Sequence, residues 1–137
     1  ICASRALLDR YGVPATPDDL RTLPAVIYSN ASTGASLSYR TPEGDQGTIN
    51  LAPAIYANSI GMLVESTMKA IGFARLPAFA CQQHIDDGTL IKLLPDYMTL
   101  PERGIYAIYP DKRFLPLKVR KFIDLLYARL GNAPDLA

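Results

Sequence analysis

The sequence predicts an α/β fold in which a largely parallel sheet carries helices on both faces. Between residues 25 and 94, short apolar runs typical of buried strands alternate with segments whose apolar residues recur every three or four positions, as in helices. The size also fits, because 137 residues, 49% hydrophobic and 20% charged, suit one globular domain. Strands and helices that alternate in this way are joined by right-handed crossovers, and we therefore expect a Rossmann-like arrangement.

The N-terminal third contains signals for two helix starts and a hairpin. An apolar strand start leads into a short helix that begins after Ser4 and closes at Gly12. Thr16, followed by a proline and two acids, is typical of a second helix start. A buried strand follows at residues 25–28, and the polar residues 36–48 predict a hairpin or an irregular meander.

The middle of the chain predicts a strand at residues 55–57 followed by an amphipathic helix. The apolar residues of this helix extend to Ile71, and Gly72 is expected to end it. The final helix has the clearest amphipathic pattern in the chain. The elements expected after Gly72 are, in order, a strand at residues 73–76, a helix at 78–86, strands at 90–94 and 105–110, and a helix at 117–130.

Composition narrows the possible functions. A net charge of +1 and a sequence pI near 7.9 give no basic surface of the kind that holds phosphate backbones. Cys2 and Cys81 lack the spacing of a metal site or a disulfide scaffold, and we expect two reduced, buried thiols. No apolar stretch approaches the ~20 residues that span a bilayer. We therefore expect a cytoplasmic protein.

An enzyme finds little support in the sequence. His84 is the only histidine, and it lies in a polar stretch that reads as a solvent-facing helix surface. The chain has no nucleophile elbow, phosphate-binding loop or dinucleotide fingerprint. Asp86 and Asp87 precede a glycine at a helix end and are expected to cap or solvate it rather than to act as an acid/base pair. We expect no catalytic residue, no metal and no cofactor.

Two polar pairs follow predicted strands at the edge where open α/β sheets place ligands. Asn58 and Ser59 lie between a strand and a helix start, where unpaired N–H groups and the helix dipole favour an anion. Ser29 and Asn30 begin the loop after the strand at residues 25–28. Each pair also has a structural interpretation, as a helix cap or as turn residues, and the residues alone leave both open.

Six segments, taken in order, resemble the effector-binding domain of LysR-type transcriptional regulators. Each segment is a short signal found in many α/β proteins, and it is their order and spacing that carry the resemblance. The resemblance covers nearly all of the chain and is strongest after residue 53. The segments are residues 57–62, 70–77, 87–90, 94–96, 105–110 and 118–124.

The resemblance implies a two-lobed effector domain of the periplasmic-binding-protein-like type 2 fold, with two strands crossing between the lobes. Residues 1–104 would hold the first crossing strand and the second lobe. Residues 105–137 would hold the returning strand and a C-terminal helix of the first lobe. Ala3 and Tyr106 would be hinge residues, and the N-terminal helix-turn-helix and most of the first lobe would lie outside this chain.

The resemblance also implies that a small metabolite, anionic or aromatic, binds between the lobes and switches the oligomer. Phe73 would offer this ligand an apolar wall, although a Phe in a buried strand more often belongs to the core. The polar pairs described above would face the cleft. The expected effector-binding residues are Ser29, Asn30, Asn58, Ser59 and Phe73.

The implied parent protein binds DNA through the absent N-terminal domain only, as a homodimer or homotetramer and without a membrane. One alternative is an exported solute-binding protein of a transporter, which shares the two-lobed architecture. Another is a domain kept for oligomerisation alone. A helix-turn-helix encoded upstream would favour the regulator, whereas a signal peptide would favour the solute-binding protein.

Overall fold

A computed structural model describes residues 1–101, Ile108 and residues 116–130. The chain divides into two compact units, Ile1–Glu102 and Arg103–Ala137. The strands are β1 (Cys2–Ser4), β2 (Pro24–Tyr28), β3 (Ser36–Arg40), β4 (Gln46–Asn50), β5 (Ala52–Ala57), β6 (Phe73–Ala74), β7 (Leu90–Lys92) and β8 (Met98–Leu100). The helices are α1 (Arg5–Tyr11), a 3₁₀ helix (Pro17–Thr22), α2 (Ile60–Met68), α3 (Ala78–Asp86) and α4 (Leu117–Leu130).

The main sheet of the first unit has five strands in the order β5-β2-β6-β1-β7. β2 is parallel to both β5 and β6. β1 is antiparallel to its neighbours β6 and β7, so β7 runs in the same direction as the other three strands. The predicted α/β fold with a largely parallel sheet is confirmed.

Helices cover both faces of this sheet, as predicted. Side chains alternate along each strand, so neighbouring residues enter different core clusters. α1, the 3₁₀ helix and the β3–β4 hairpin pack on one face, while α2 and α3 pack on the other. The first face presents Ala3, Ala25, Ile27 and Phe73, and the second presents Cys2, Val26, Ala74 and Leu90.

A second, three-stranded sheet has the order β4-β3-β8. β3 and β4 form an antiparallel hairpin, which confirms the prediction for residues 36–48. Gly44, with a φ of 99°, lies in its turn. Leu37 and Ile49 are opposite each other in the register and bury their side chains in the larger core. The third strand, β8, was not predicted.

The two predicted helix starts near the N-terminus are confirmed. α1 follows Ser4, whose side chain makes no capping hydrogen bond, and ends at Gly12 with a φ of 87°. The 3₁₀ helix begins after Thr16 with a capping box. In this box, Asp19 Oδ2 accepts hydrogen bonds from the N–H of Thr16 at 2.8 Å and of Ala15 at 3.0 Å.

α2 ends at Met68, so the prediction that this helix runs to Ile71 is wrong. Two hydrogen bonds close the last turn, from the N–H of Ile71 to the carbonyl of Ser66 (3.0 Å) and from the N–H of Ala70 to the carbonyl of Thr67 (3.1 Å). This pattern is a Schellman motif, in which glycine usually occupies the left-handed position. Here Ala70 takes that position, with a φ of 58°.

Gly72 therefore does not end α2, and it has a different role. A Cβ atom at Gly72 would lie 2.5 Å from the carbonyl oxygen of Pro24 and 3.1 Å from the carbonyl carbon of Ala25. The absence of a side chain lets the chain pass close to β2 immediately before β6 pairs with it at Phe73.

Strands β6 and β7 are shorter than predicted, whereas helix α3 has the predicted bounds. β6 contains only Phe73–Ala74 instead of residues 73–76, and β7 ends at Lys92 instead of at residue 94. The strand predicted at residues 105–110 lies outside the described residues, except for Ile108. Within the parts that the structure describes, no helix is long and apolar enough to cross a membrane.

In the second unit, α4 confirms the predicted last helix. Its predicted apolar face is only partly covered, because Val119 and Ile123 are half-buried whereas Phe122 and Leu126 are 59% and 37% exposed. The assignment of this helix to a first lobe, and of residues 1–104 to a second, stays a prediction.

Candidate functional site

The ends of β2 and β5 bring the two predicted polar pairs to the same edge of the main sheet. These parallel strands are in register at Tyr28 and Ala57. The pairing continues by one hydrogen bond, from the N–H of Ser29 to the carbonyl of Ala57 at 2.9 Å. Ser29 and Asn58 thus leave neighbouring strands in the same direction, and both are exposed. Open α/β sheets bind ligands at this carboxyl edge.

Ser59 occupies the N-cap position of α2 without acting as a side-chain cap. Its backbone is extended, with φ −114° and ψ 129°, and its hydroxyl makes no capping hydrogen bond. Its carbonyl accepts the first bond of the helix, from the N–H of Leu63 at 3.1 Å. The N–H groups of the first turn have no partner within the helix, so the hydroxyl and these donors are presented together.

Asn30 lies in a loop of successive turns. The N–H of Ala31 donates to the carbonyl of Tyr28 at 3.0 Å, and the N–H of Gly34 donates to the carbonyl of Ala31 at 3.1 Å. Asn30 is exposed at the start of this loop. Its position is compatible with an ordinary turn and with contact to a ligand at the same edge.

Phe73 and Ala3 are core residues of the main sheet. Phe73 is 2% exposed and Ala3 is fully buried, both in the larger cluster. The burial of Phe73 supports its alternative role as a packing residue. Ala3 lies in β1, between two hydrogen-bonded neighbours, and Tyr106 lies outside the described residues.

Arg75 is a charged residue near this edge that the sequence reasoning did not single out. It follows β6, the third parallel strand, whose Ala74 pairs with Val26 of β2. Its guanidinium donates to the carbonyls of Leu100 at 3.0 Å and Pro101 at 2.7 Å. The sequence signal that could have placed Arg75 near this edge is its position directly after a parallel strand, since all parallel strands of a sheet end at the same edge.

Other surface features do not converge on the predicted residues. An open groove on the second sheet is lined by Ser38, Arg40, Gln46, Leu100 and Pro101, and it contains none of the predicted effector-binding residues. Within the described ranges, no group of three or more His, Cys, Asp or Glu side chains could hold a metal ion. Asp87 follows the last residue of α3, and its carboxylate accepts a hydrogen bond from the N–H of Thr89 at 2.9 Å, which is a local turn contact.

The fold and the polar edge define an α/β ligand-binding domain, and comparison with known proteins shows which one. The model of the LysR substrate binding domain matches residues 1–131, so the chain belongs to this family. It is a mixed α/β chain of the type found in the regulatory domains of LysR-type regulators, which have the two-lobed periplasmic-binding-protein-like fold.

Several transcriptional regulators are similar to this chain. The HTH-type transcriptional regulator PtxR of Pseudomonas aeruginosa is 30% identical, over 86% of this chain and 37% of that protein. The HTH-type transcriptional activator AaeR of Escherichia coli is 32% identical, over 92% of this chain and 40% of that protein. The chain thus spans about two-fifths of the length of these relatives.

Solved structures support the fold. The full-length virulence activator AphB of Vibrio cholerae, a member of the LysR-type family, superposes with a TM-score of 0.76 at 22% identity, over 93% of this chain and 43% of that one. Because the related proteins are HTH-type transcriptional regulators, the alternative of an exported solute-binding protein is not favoured.

Proposed function

We propose that this chain is the effector-sensing part of a bacterial LysR-type transcriptional regulator and that a small metabolite binds at the carboxyl edge of β2 and β5. The observation that carries this proposal is the N-terminus of α2, where the Ser59 hydroxyl and the unpaired first-turn N–H groups lie beside the end of β2. Such donors suit the carboxylate of an anionic metabolite, aliphatic or aromatic.

In the proposed mechanism, the effector shifts a population between two lobe arrangements. Ala3 and Tyr106, in the two crossing strands, would be the points about which the lobes turn. The effector can drive this change only by binding one arrangement more tightly than the other. The change would be transmitted to DNA-binding domains elsewhere in a cytoplasmic homodimer or homotetramer, with no catalytic step.

The test of the site is carboxylate binding to the full-length protein, followed by NMR of its backbone amides. Benzoate and succinate serve as aromatic and aliphatic probes. We expect a probe to shift the amide signals of Ser29, Asn58 and Ser59, and Ser59→Ala to weaken its affinity about tenfold, as loss of a hydrogen bond to a charged group implies. Ser38→Ala, on the second sheet, is the matched control and should bind as the wild type does. Equal affinity of the Ser59 variant and the wild type would exclude the assigned role.

The test of the regulator assignment is independent of that site. We expect the gene to encode a helix-turn-helix upstream of Ile1, and the full-length protein to protect a specific DNA segment in footprinting. A secretion signal in that place, with no DNA protection, would contradict the proposed function even if the carboxylate site were confirmed.

A further inference from the structure

The fold brings together two residues that are far apart in the sequence, Cys2 and Cys81. Cys2 lies in β1 on the face that α2 and α3 cover, and Cys81 is the buried residue of α3. The two side chains share one small apolar cluster with Leu90 of β7, and they are 1% and 6% exposed. Both thiols are free. The two thiols are close enough for each to shift the pKa of the other.

The two thiols are not equivalent. Cys81 Sγ also lies 3.3 Å from the carbonyl of Pro77, to which it donates when protonated. The hydrogen bond from Cys2 lowers the pKa of Cys81, while the same contact and burial raise the pKa of Cys2. Because the thiolate is the reactive form of cysteine and Cys81 is also the more exposed of the two thiols, Cys81 is assigned as the nucleophile and Cys2 as the resolving thiol.

We propose that Cys2 and Cys81 form a thiol pair that hydroperoxides oxidise reversibly to an intramolecular disulfide. The Cys81 thiolate attacks the terminal oxygen of the hydroperoxide, whose O–O bond breaks and whose other oxygen leaves as an alcohol or water after taking a proton. Cys81 is then a sulfenic acid. Cys2 attacks this sulfur, an S–S bond forms, and water leaves. Two thiols and one hydroperoxide thus give a disulfide, an alcohol and water.

The location of Cys81 provides a route for the oxidant. Cys81 is the one buried residue of α3, and Phe79 on the same helix is 56% exposed. Helices anchored by few buried side chains open at lower free energy than the sheet beneath them. A local displacement of α3 therefore exposes Cys81 while β1 stays paired with β6 and β7.

The geometry also permits the S–S bond to form. A disulfide requires a sulfur–sulfur distance of about 2.05 Å and Cα atoms within about 7 Å. The two thiols already share one buried cluster, and α3 can supply the remaining approach because one buried residue anchors it. The bond would join β1 to α3.

The experiment treats the reduced full-length protein with hydrogen peroxide, blocks the remaining thiols in denaturant and maps the peptides without reduction. We expect a cross-linked peptide that contains Cys2 and Cys81, lower in mass by two hydrogens than the separate peptides and released by dithiothreitol. We also expect at least tenfold faster cross-linking than in urea, since the fold holds the pair together. Unmodified thiols in the folded protein, or equal rates in urea, would overturn the proposal.

Two serine variants test the order of the steps. In Cys2→Ser, Cys81 should accumulate as a sulfenic acid that dimedone traps, whereas the wild type should give little of this adduct. In Cys81→Ser, Cys2 should stay reduced under the same treatment. If Cys2 reacted in Cys81→Ser as fast as Cys81 does in Cys2→Ser, the assignment of Cys81 as nucleophile would be wrong. Neither result depends on DNA or effector binding.

Discussion

Gly72→Ala is a sharp test of the close approach between the start of β6 and strand β2. The added Cβ would lie 2.5 Å from the Pro24 carbonyl oxygen, about 0.9 Å inside ordinary van der Waals contact at 3.4 Å. The nearby atoms belong to backbone that pairs with β5 and β6, so a rotamer change cannot relieve the overlap. Overpacking of this kind costs about 3 kcal/mol, and the gain from a less flexible unfolded chain offsets about 1 kcal/mol.

The expected net loss for Gly72→Ala is therefore about 2 kcal/mol, which lowers the urea midpoint of unfolding by about 1 M. Circular dichroism would follow the transition. Gly61→Ala is the matched control, because its Cβ would meet only Ser59 Oγ at 3.8 Å and it lies in α2. Alanine favours the helix, so Gly61→Ala should raise stability by about 0.5–1 kcal/mol. An unchanged or higher midpoint for Gly72→Ala would refute the steric argument.

Three further predictions concern stability. Hydrogen bonds from Thr16 and Ala15 lower the pKa of the Asp19 carboxyl, so its contribution is present above about pH 4 and is lost as the pH falls through the lowered pKa. The melting temperature of Asp19→Ala should therefore fall less on acidification than that of the wild type. A pH dependence of the melting temperature parallel to that of the wild type would count against this. Ser59→Ala should change the unfolding free energy by less than about 0.5 kcal/mol, whereas a capping serine would cost about 1 kcal/mol. Oxidation of Cys2 and Cys81 closes a long loop and should stabilise the chain by about 4 kcal/mol in urea unfolding, and a lower midpoint would indicate a strained bond.

Local signals predicted most of the fold, and non-local contacts explain the differences. The helix start at Thr16 and the hairpin at residues 36–48 depend on neighbours in the sequence, and both are confirmed. β8 is only three residues long and pairs with β3, which lies far from it in the sequence, so no periodicity marks it. The prediction that Gly72 ends α2 was wrong because a glycine after a helix usually caps it. Here the close passage of β2 leaves no room for a side chain at this position.

The candidate site could be predicted to the level of a sheet edge. Parallel strands end together, so the order of strands and helices was enough to place Ser29 and Asn58 at the same edge, whereas the pairing of β2 with β5 shows that they lie side by side. The sequence could not separate a capping Ser59 from one that presents its hydroxyl, because both occupy the same N-cap position. The backbone and hydroxyl geometry decides this in favour of a hydroxyl that does not cap. The proximity of Cys2 and Cys81 could not be predicted from the sequence either, since it depends on α3 packing against the sheet beside β7. Pairwise chemistry between distant segments therefore had to come from the fold, while the chemistry of a single strand end could come from the sequence.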